Sequence, residues 1–357
     1  MKQIILFIIC LTSALLNGQT YVVPKVEKRT AKDQLFEESY SLLKSMLKDD
    51  SQYNFKKAVF SCENAYLDGK LDTAFVNKQV GLLKNISLSI IESKQLQYNE
   101  KDKDVVSKWA AVFQVMCDSI PIVINGKDYK YVPFSYDFTD VFGHKDWTGM
   151  FVSKLLQDRK GNCHSLPYLY KILAEELGTD AHLALAPNHV YIKHRSIKDG
   201  WYNTELTSGI FPIDAWLMAS GYIHIDAITN GVYLKALDNR ESIALVLIDL
   251  AQGYQNKFPD NDGTFILKCC NSALEAYPNF PNALILKAET HRAQLEREPD
   301  FEKGKILFDA LQKEYMHIHH IGYRNMPESM YLNWLISLKT ERSKYEDKKL
   351  APTKSKP

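Results

Sequence analysis

A proline inside a helical pattern fixes the start of one helix and so constrains the middle of this chain. Residues 161–178 read GNCHSLPYLYKILAEELG, in which leucines recur at helical spacing before a terminal glycine. Proline is tolerated only in the first turn of a helix, because its missing N–H would have no partner there anyway. Pro167 therefore predicts a helix that begins at about residues 162–164.

This start places Cys163 at the N-terminus of the predicted helix. The partial positive charge and free N–H groups at such an end favour a thiolate and lower the pKa of a thiol. A buried structural cysteine gains nothing from that position, and Gly161 beside it permits close backbone approach. We therefore predict that Cys163 is a nucleophile.

The segments after this helix offer a base and an acid. The stretches DAHLALA, HVYIKHR and GWYNTELT alternate as half-buried strands do, and His189 opens the second of them. If Arg195 pairs with Trp201 across a five-residue loop, the acid of the third strand falls on the same face as His189. That acid is Glu205, and a two-residue turn at 199–200 would instead turn it to the other face.

The order of these residues resembles the transglutaminase-like superfamily, relatives of papain-like cysteine proteases. The matching words are GNCHSLPYLYKILAEELG, APNHVYIKH and WYNTELT, and the resemblance covers roughly residues 140–215. It implies that Cys163 is the nucleophile, His189 the general base and acid, and Glu205 the acid that orients the imidazole. The chemistry implied is acyl transfer.

The chain departs from the family pattern at two positions. Glu205 stands where the family usually has Asp, and His164 rather than an aromatic residue follows the cysteine. Asn203 is the substitute candidate for the third role, since papain-like relatives use Asn. We expect Asn203 on the face of the strand opposite to Glu205.

Composition excludes several other functions. A net charge of +1 with 24% charged residues gives no basic excess for nucleic acid or acidic lipid. Glycine-rich phosphate loops and serine nucleophile elbows are absent from the sequence, so we expect no cofactor. A zinc site would need compact ligand spacing, which the available residues lack: Cys163, His164, His182, His189 and His194. The MHIHH stretch (His317, His319 and His320) offers at most an adventitious metal site, so we expect no metal.

The N-terminus has the pattern of a secretory signal peptide. A lysine precedes the apolar run IILFIICLTSALL, and a polar break follows near Gly18. We predict a signal peptide at residues 1–19 and an exported protein, periplasmic or extracellular. No later apolar run approaches a bilayer-spanning length, so we expect no integral membrane segment after signal removal.

The predicted fold class is α+β, with a transglutaminase-like core in which one helix packs on a small antiparallel sheet, flanked by helical regions. The stretch FILKCCNSALEAYPNFPNALILKAETHRAQLE resembles a junction between tetratricopeptide repeats. The predicted boundaries are an N-terminal helical region at 20–97, the transglutaminase-like domain at 106–235, a tetratricopeptide-like helical region at 240–345 and a disordered tail at 346–357.

The sequence therefore predicts an exported cysteine-dependent acyl-transfer enzyme with a Cys163–His189–Glu205 triad. It would be an amide or peptide hydrolase, or a transglutaminase-like enzyme, acting on a protein or peptide. The alternative is a non-catalytic helical-repeat interaction protein that carries an inactive transglutaminase-like domain. In either case the C-terminal helices are the predicted surface for a protein partner.

Overall fold

The structure is a computed structural model that describes residues 31–124 and 126–340. The predicted signal peptide and the predicted tail lie outside the described residues. The N-terminal part forms the helices α1 (Ala31–Lys48), α2 (Phe55–Tyr66), α3 (Thr73–Ser93) and α4 (Lys103–Cys117). Side chains of Asn54 and Asp72 accept hydrogen bonds from backbone N–H groups at the starts of α2 and α3, which fixes where these helices begin.

The middle of the chain combines short strands with helices. Its elements are β1 (Ile120–Ile124), β2 (Lys127–Tyr131), β3 (Ser135–Tyr136), α5 (Val152–Asp158), β4 (Lys160–Gly161), α6 (Ser165–Glu176), β5 (His182–Ala186), β6 (His189–Ser196), β7 (Gly200–Thr204), α7 (Asp214–Ser220) and α8 (Ile225–Thr229). β1 and β2 form an antiparallel hairpin, β3 pairs with β4 in parallel, and β5, β6 and β7 form an antiparallel sheet in that order. The sheet β5–β6–β7 carries the polar residues discussed below.

The chain then continues as helices. These are α9 (Asn239–Lys257), α10 (Thr264–Ala276), α11 (Pro281–Arg297), α12 (Phe301–His320) and α13 (Glu328–Thr340). None of the helices among the described residues is both long enough and apolar enough to cross a bilayer.

The architecture is mixed, mostly helical with small antiparallel sheets, so the predicted α+β class is confirmed at this level. Helix α6 is buried from Ser165 to Ala174 and packs against α4 and the sheet. Burial of each large apolar side chain along it contributes about 1.5–3 kcal/mol. Lys171 is buried too, and it is paired by donating to the carbonyl of Ala181 and to Glu175.

Helices from both ends of the chain complete this core. Helix α9 is buried along most of its length and packs against α1, α2 and α10. One continuous apolar cluster runs from Phe36 in α1 through α6 to Leu335 in α13. The flanking helices therefore bound the region around α6 directly.

Candidate active site

The turn that carries Cys163 is held by a side-chain cap. Helix α6 begins at Ser165, so Cys163 lies two residues before it, close to the predicted start. The Asn162 side-chain oxygen accepts from the backbone N–H groups of His164 (3.0 Å) and Ser165 (3.1 Å). In return, the Asn162 N–H donates to the Ser165 hydroxyl at 3.1 Å. These bonds fix the backbone on both sides of the sulfur.

Gly161 packs closely within the same turn and pairs with a second strand. It pairs with Tyr136 in the parallel β3–β4 bridge. A Cβ at position 161 would lie 2.5 Å from the Ser165 hydroxyl and 2.8 Å from Leu155, so a larger residue does not fit. The close neighbours of Gly161 are thus side chains rather than the backbone approach that was expected, and the β3–β4 pairing brings Tyr136 to the sulfur.

Sheet register joins the predicted base to the predicted acid. Arg195 pairs with Trp201 across the β6–β7 turn, which is the register that the Glu205 role required. The His189 Nε2 donates to a Glu205 carboxylate oxygen at 2.5 Å, and both side chains are buried. The other Glu205 oxygen accepts from the N–H of Thr207 at 2.7 Å. The carboxylate is therefore held on both sides.

The thiol of Cys163 faces this pair. Its Sγ lies 3.7 Å from the carbonyl oxygen of Asn188, the residue before His189. Burial alone would raise the pKa of the Cys163 thiol, but its hydrogen bond to His189 and the imidazolium charge outweigh burial and lower it. For His189, burial alone would lower the pKa, but the charge of Glu205 and the interactions with Cys163 outweigh burial and raise the pKa. These directions favour a thiolate–imidazolium pair.

A second imidazolium stands next to Cys163. His164 Nδ1 donates to the carbonyl of Met150 at 2.9 Å, and its Nε2 donates to a carboxylate oxygen of Asp249 at 2.9 Å. Two acceptors require both ring nitrogens to carry protons. Burial opposes this charge, but the Asp249 carboxylate outweighs burial and raises the pKa of His164 to about 8. The positive charge of His164 in turn lowers the pKa of Cys163.

The expectation for Asn203 was wrong. Its side-chain amide donates to the carbonyl of Pro212 at 2.8 Å and to Asp214 at 2.7 Å, and Lys193 beside it contacts the same carboxylate. Residues two apart along a strand share a face, so Asn203 lies on the same face as Glu205 rather than the opposite one. It nevertheless serves Asp214, farther along the sheet, and makes no bond to His189.

Comparisons with protein-family models, curated proteins and solved structures found no match to this chain. What the site can do chemically therefore follows from its own geometry.

Three further side chains, none of them predicted from the sequence, contact the site. Asp249 comes from α9 and Tyr136 from β3, and Tyr331 comes from α13, where its hydroxyl lies 3.0 Å from His189 Nδ1. Tyr331 also hydrogen-bonds the Cys163 thiol, which lowers the pKa of Cys163 further. No local motif marks these residues, because each reaches the site only through tertiary packing.

Another histidine of the sheet, His194, has structural surroundings. His194 stacks on Trp109, with ring centroids 4.3 Å apart, and shares a hydrogen bond with the hydroxyl of Tyr170. Among the residues that the structure describes, no group of three or more His, Cys, Asp or Glu side chains is arranged to hold a metal ion.

Proposed function

We propose that this protein is a cysteine-dependent acyl-transfer enzyme with a transglutaminase-like catalytic core. The observation that carries the proposal is the buried chain from Glu205 through His189 to Cys163. A carboxylate that holds an imidazole, which in turn contacts a thiol of lowered pKa, is the arrangement that activates a cysteine nucleophile.

Each residue then has one role. The Cys163 thiolate attacks the carbonyl carbon of an amide or ester and forms a tetrahedral intermediate. Because His189 Nε2 is bonded to Glu205, Nδ1 is the nitrogen that faces the sulfur and exchanges protons with the reacting groups. His189 gives its proton to the leaving amine or alcohol, and the acyl group stays on the sulfur. Water or an amine then attacks this thioester and releases Cys163.

Charge on the tetrahedral oxygen needs nearby donors. The N–H groups of His164 and Ser165 already donate to Asn162, so they are not free for this role. The N–H of Cys163 lies beside the hydroxyl of Tyr136. We assign these two groups as the oxyanion donors.

The substrate class that fits is a protein or peptide, and release by water makes the enzyme a hydrolase. With the N-terminal pattern described above, we infer that it acts outside the cytoplasm. The alternative is an inactive domain in an interaction protein. It would keep the fold without the chemistry.

Acylation with a small activated ester separates these two functions. Purified protein is treated with p-nitrophenyl acetate, and the acetylated peptide is located by mass spectrometry. We expect a thioester on Cys163 that turns over, and loss of both adduct and turnover in Cys163→Ser and His189→Ala. Cys117→Ser is the matched control, because Cys117 is partly exposed and outside the triad. Equal acetate release by wild type and Cys163→Ser contradicts the proposal.

A further inference from the structure

The C-terminal helix α13 covers the site that the proposed function requires to be open. The side chain of His189 has 0% of its surface exposed and that of Glu205 has 2%, while Cys163 as a residue is 8% exposed. Tyr331 of α13 is fully buried against them, with its hydroxyl at His189 Nδ1 and hydrogen-bonded to the sulfur. A polypeptide substrate, unlike a small ester, cannot reach the thiolate while this hydroxyl is in place.

Trp334, one turn farther along α13, fills a built aromatic pocket. Its ring stacks on Trp216 with centroids 5.9 Å apart and meets the edge of His189 at 5.0 Å. Its indole N–H donates to the Ser220 hydroxyl at 2.8 Å. Stacking and a directed acceptor together specify an aromatic side chain at this position.

Backbone contacts hold the segment just before α13. The side-chain amide of Asn188 donates to the carbonyl of Met326 at 2.8 Å. The carbonyl of the same Asn188 faces the Cys163 sulfur. One residue, Asn188, thus contacts both the sulfur and a backbone carbonyl of this segment, and a side-chain amide that binds a backbone carbonyl could bind a peptide substrate in the same way.

The covering helix is held on one side and open on the other. Ile336 and Met330 point outward, with 51% and 36% of their surfaces exposed. The ion pair between Glu328 and His144 is exposed, and such pairs contribute little. The buried side chains of Tyr331, Trp334 and Leu335 therefore hold the helix at the site.

We infer that residues 326–340 occupy the substrate groove as an internal ligand that keeps Cys163 covered, and that the groove takes a polypeptide bearing an aromatic side chain in the Trp334 pocket. This inference rests on the proposed function, since it concerns access to the same thiol. Activity then requires residues 326–340 to leave the groove. The sequence of this segment indicates the kind of polypeptide that would bind in its place.

The test measures the rate at which iodoacetamide alkylates Cys163 in the full-length protein, followed by mass spectrometry. Trp334→Ala should raise this rate about tenfold or more, as loss of an anchoring aromatic does. Ile336→Ala, on the exposed face of the same helix, should leave it unchanged. Ser220→Ala removes only the acceptor of the indole and should raise the rate less. If Cys163 is alkylated no faster in Trp334→Ala and in Ser220→Ala than in Ile336→Ala, the inference is overturned.

A peptide added in trans tests the groove itself. The peptide PESMYLNWLISLKT, residues 327–340, should slow alkylation of Cys163 in the Trp334→Ala protein in a concentration-dependent way. The same peptide with alanine in place of its tryptophan should not. If both peptides slow alkylation of Cys163 equally, or if neither slows it, the proposed specificity for an aromatic side chain is overturned.

Failure here is distinguishable from failure of the proposed function. If wild type and Trp334→Ala alkylate equally, but His189→Ala still moves the pH profile of Cys163, the covering role is wrong and the chemistry stands. If Trp334→Ala exposes Cys163, but its profile does not respond to His189→Ala, the covering role stands and the chemistry is wrong.

Discussion

His164 Nε2 donates to Asp249 Oδ1 at 2.9 Å, and this bond links the residue after Cys163 to helix α9, 85 positions farther along the chain. Since its other ring nitrogen donates to a backbone carbonyl, the imidazole is charged in the folded protein. A buried charge of this kind makes stability depend on pH.

The first prediction concerns that dependence. The pKa of His164 is raised from 6.5 to about 8, so its contribution is fully present below pH 6.5 and is lost as the pH rises through 8. The shift corresponds to about 2 kcal/mol in the free energy of unfolding. Urea unfolding at pH 6 and pH 9 gives the free energy of unfolding of wild type and of Asp249→Asn. The difference between the two proteins should be about 2 kcal/mol larger at pH 6 than at pH 9.

Tyr168→Phe is the matched control for this measurement. It removes the hydroxyl that donates to the other Asp249 oxygen at 2.7 Å but leaves both charges. Its difference from wild type should be the same at both pH values. A constant difference for Asp249→Asn as well would show that His164 is uncharged.

The second prediction is the pH profile of Cys163 alkylation. Because the pKa of this thiol is lowered, the rate should rise below the pH of a free thiol, about 8.5. His189→Ala removes the main lowering interaction and leaves burial, which raises the pKa, so the midpoint should move above that of wild type. An unchanged midpoint in His189→Ala would remove this residue from the mechanism.

The third prediction separates Glu205 from Asn203. Glu205→Gln keeps the shape but loses the charge that raises the pKa of His189, so the alkylation midpoint should rise and turnover should fall substantially. Glu205→Asp keeps the charge one methylene farther away and should retain more activity. Asn203→Ala should lower stability without moving the midpoint, since Asn203 bonds Pro212 and Asp214. A midpoint shift in Asn203→Ala alone would transfer the orienting role to it.

The fourth prediction compares two helix caps. Asn162→Ala and Asn54→Ala each remove a side-chain acceptor at a helix start, a loss of about 1 kcal/mol, and Asn162→Ala should cost more because it also removes the donor to the Val141 carbonyl. Only Asn162 holds the turn around Cys163, so only its replacement should change the reactivity of that thiol. Identical alkylation rates in the two variants would show that the cap does not position the sulfur.

The sequence predicted correctly the positions of residues that depend on short-range backbone geometry. Pro167 fixed the start of α6 because a proline ring is compatible with few helix positions. The alternation of β6 and β7, with Arg195 opposite Trp201, brought His189 to Glu205. The prediction for Asn203 was wrong because residues two apart in a strand lie on the same face, so Asn203 had to share the face of Glu205.

Contacts between residues far apart in the chain could not be predicted from helical and strand spacing. Nothing near Tyr331 or Trp334 in the sequence marks them as neighbours of His189, because helical spacing records which face is apolar and not what it packs against. The parallel pairing of Tyr136 with Gly161 involves two-residue strands, too short to leave a periodic pattern. The transglutaminase-like core, export and the tetratricopeptide-like region stay predictions.

Two acids that hold the surroundings of Cys163 come from outside residues 106–235. Glu63 in α2 accepts from the N–H groups of Val152 and Ser153 and so anchors α5, while Asp249 in α9 holds His164. A fragment of residues 106–235 would contain Cys163, His189 and Glu205 yet lack both supports. An attempt to transfer the arrangement of Cys163, His189 and Glu205 to another scaffold would therefore need helices α2 and α9 as well.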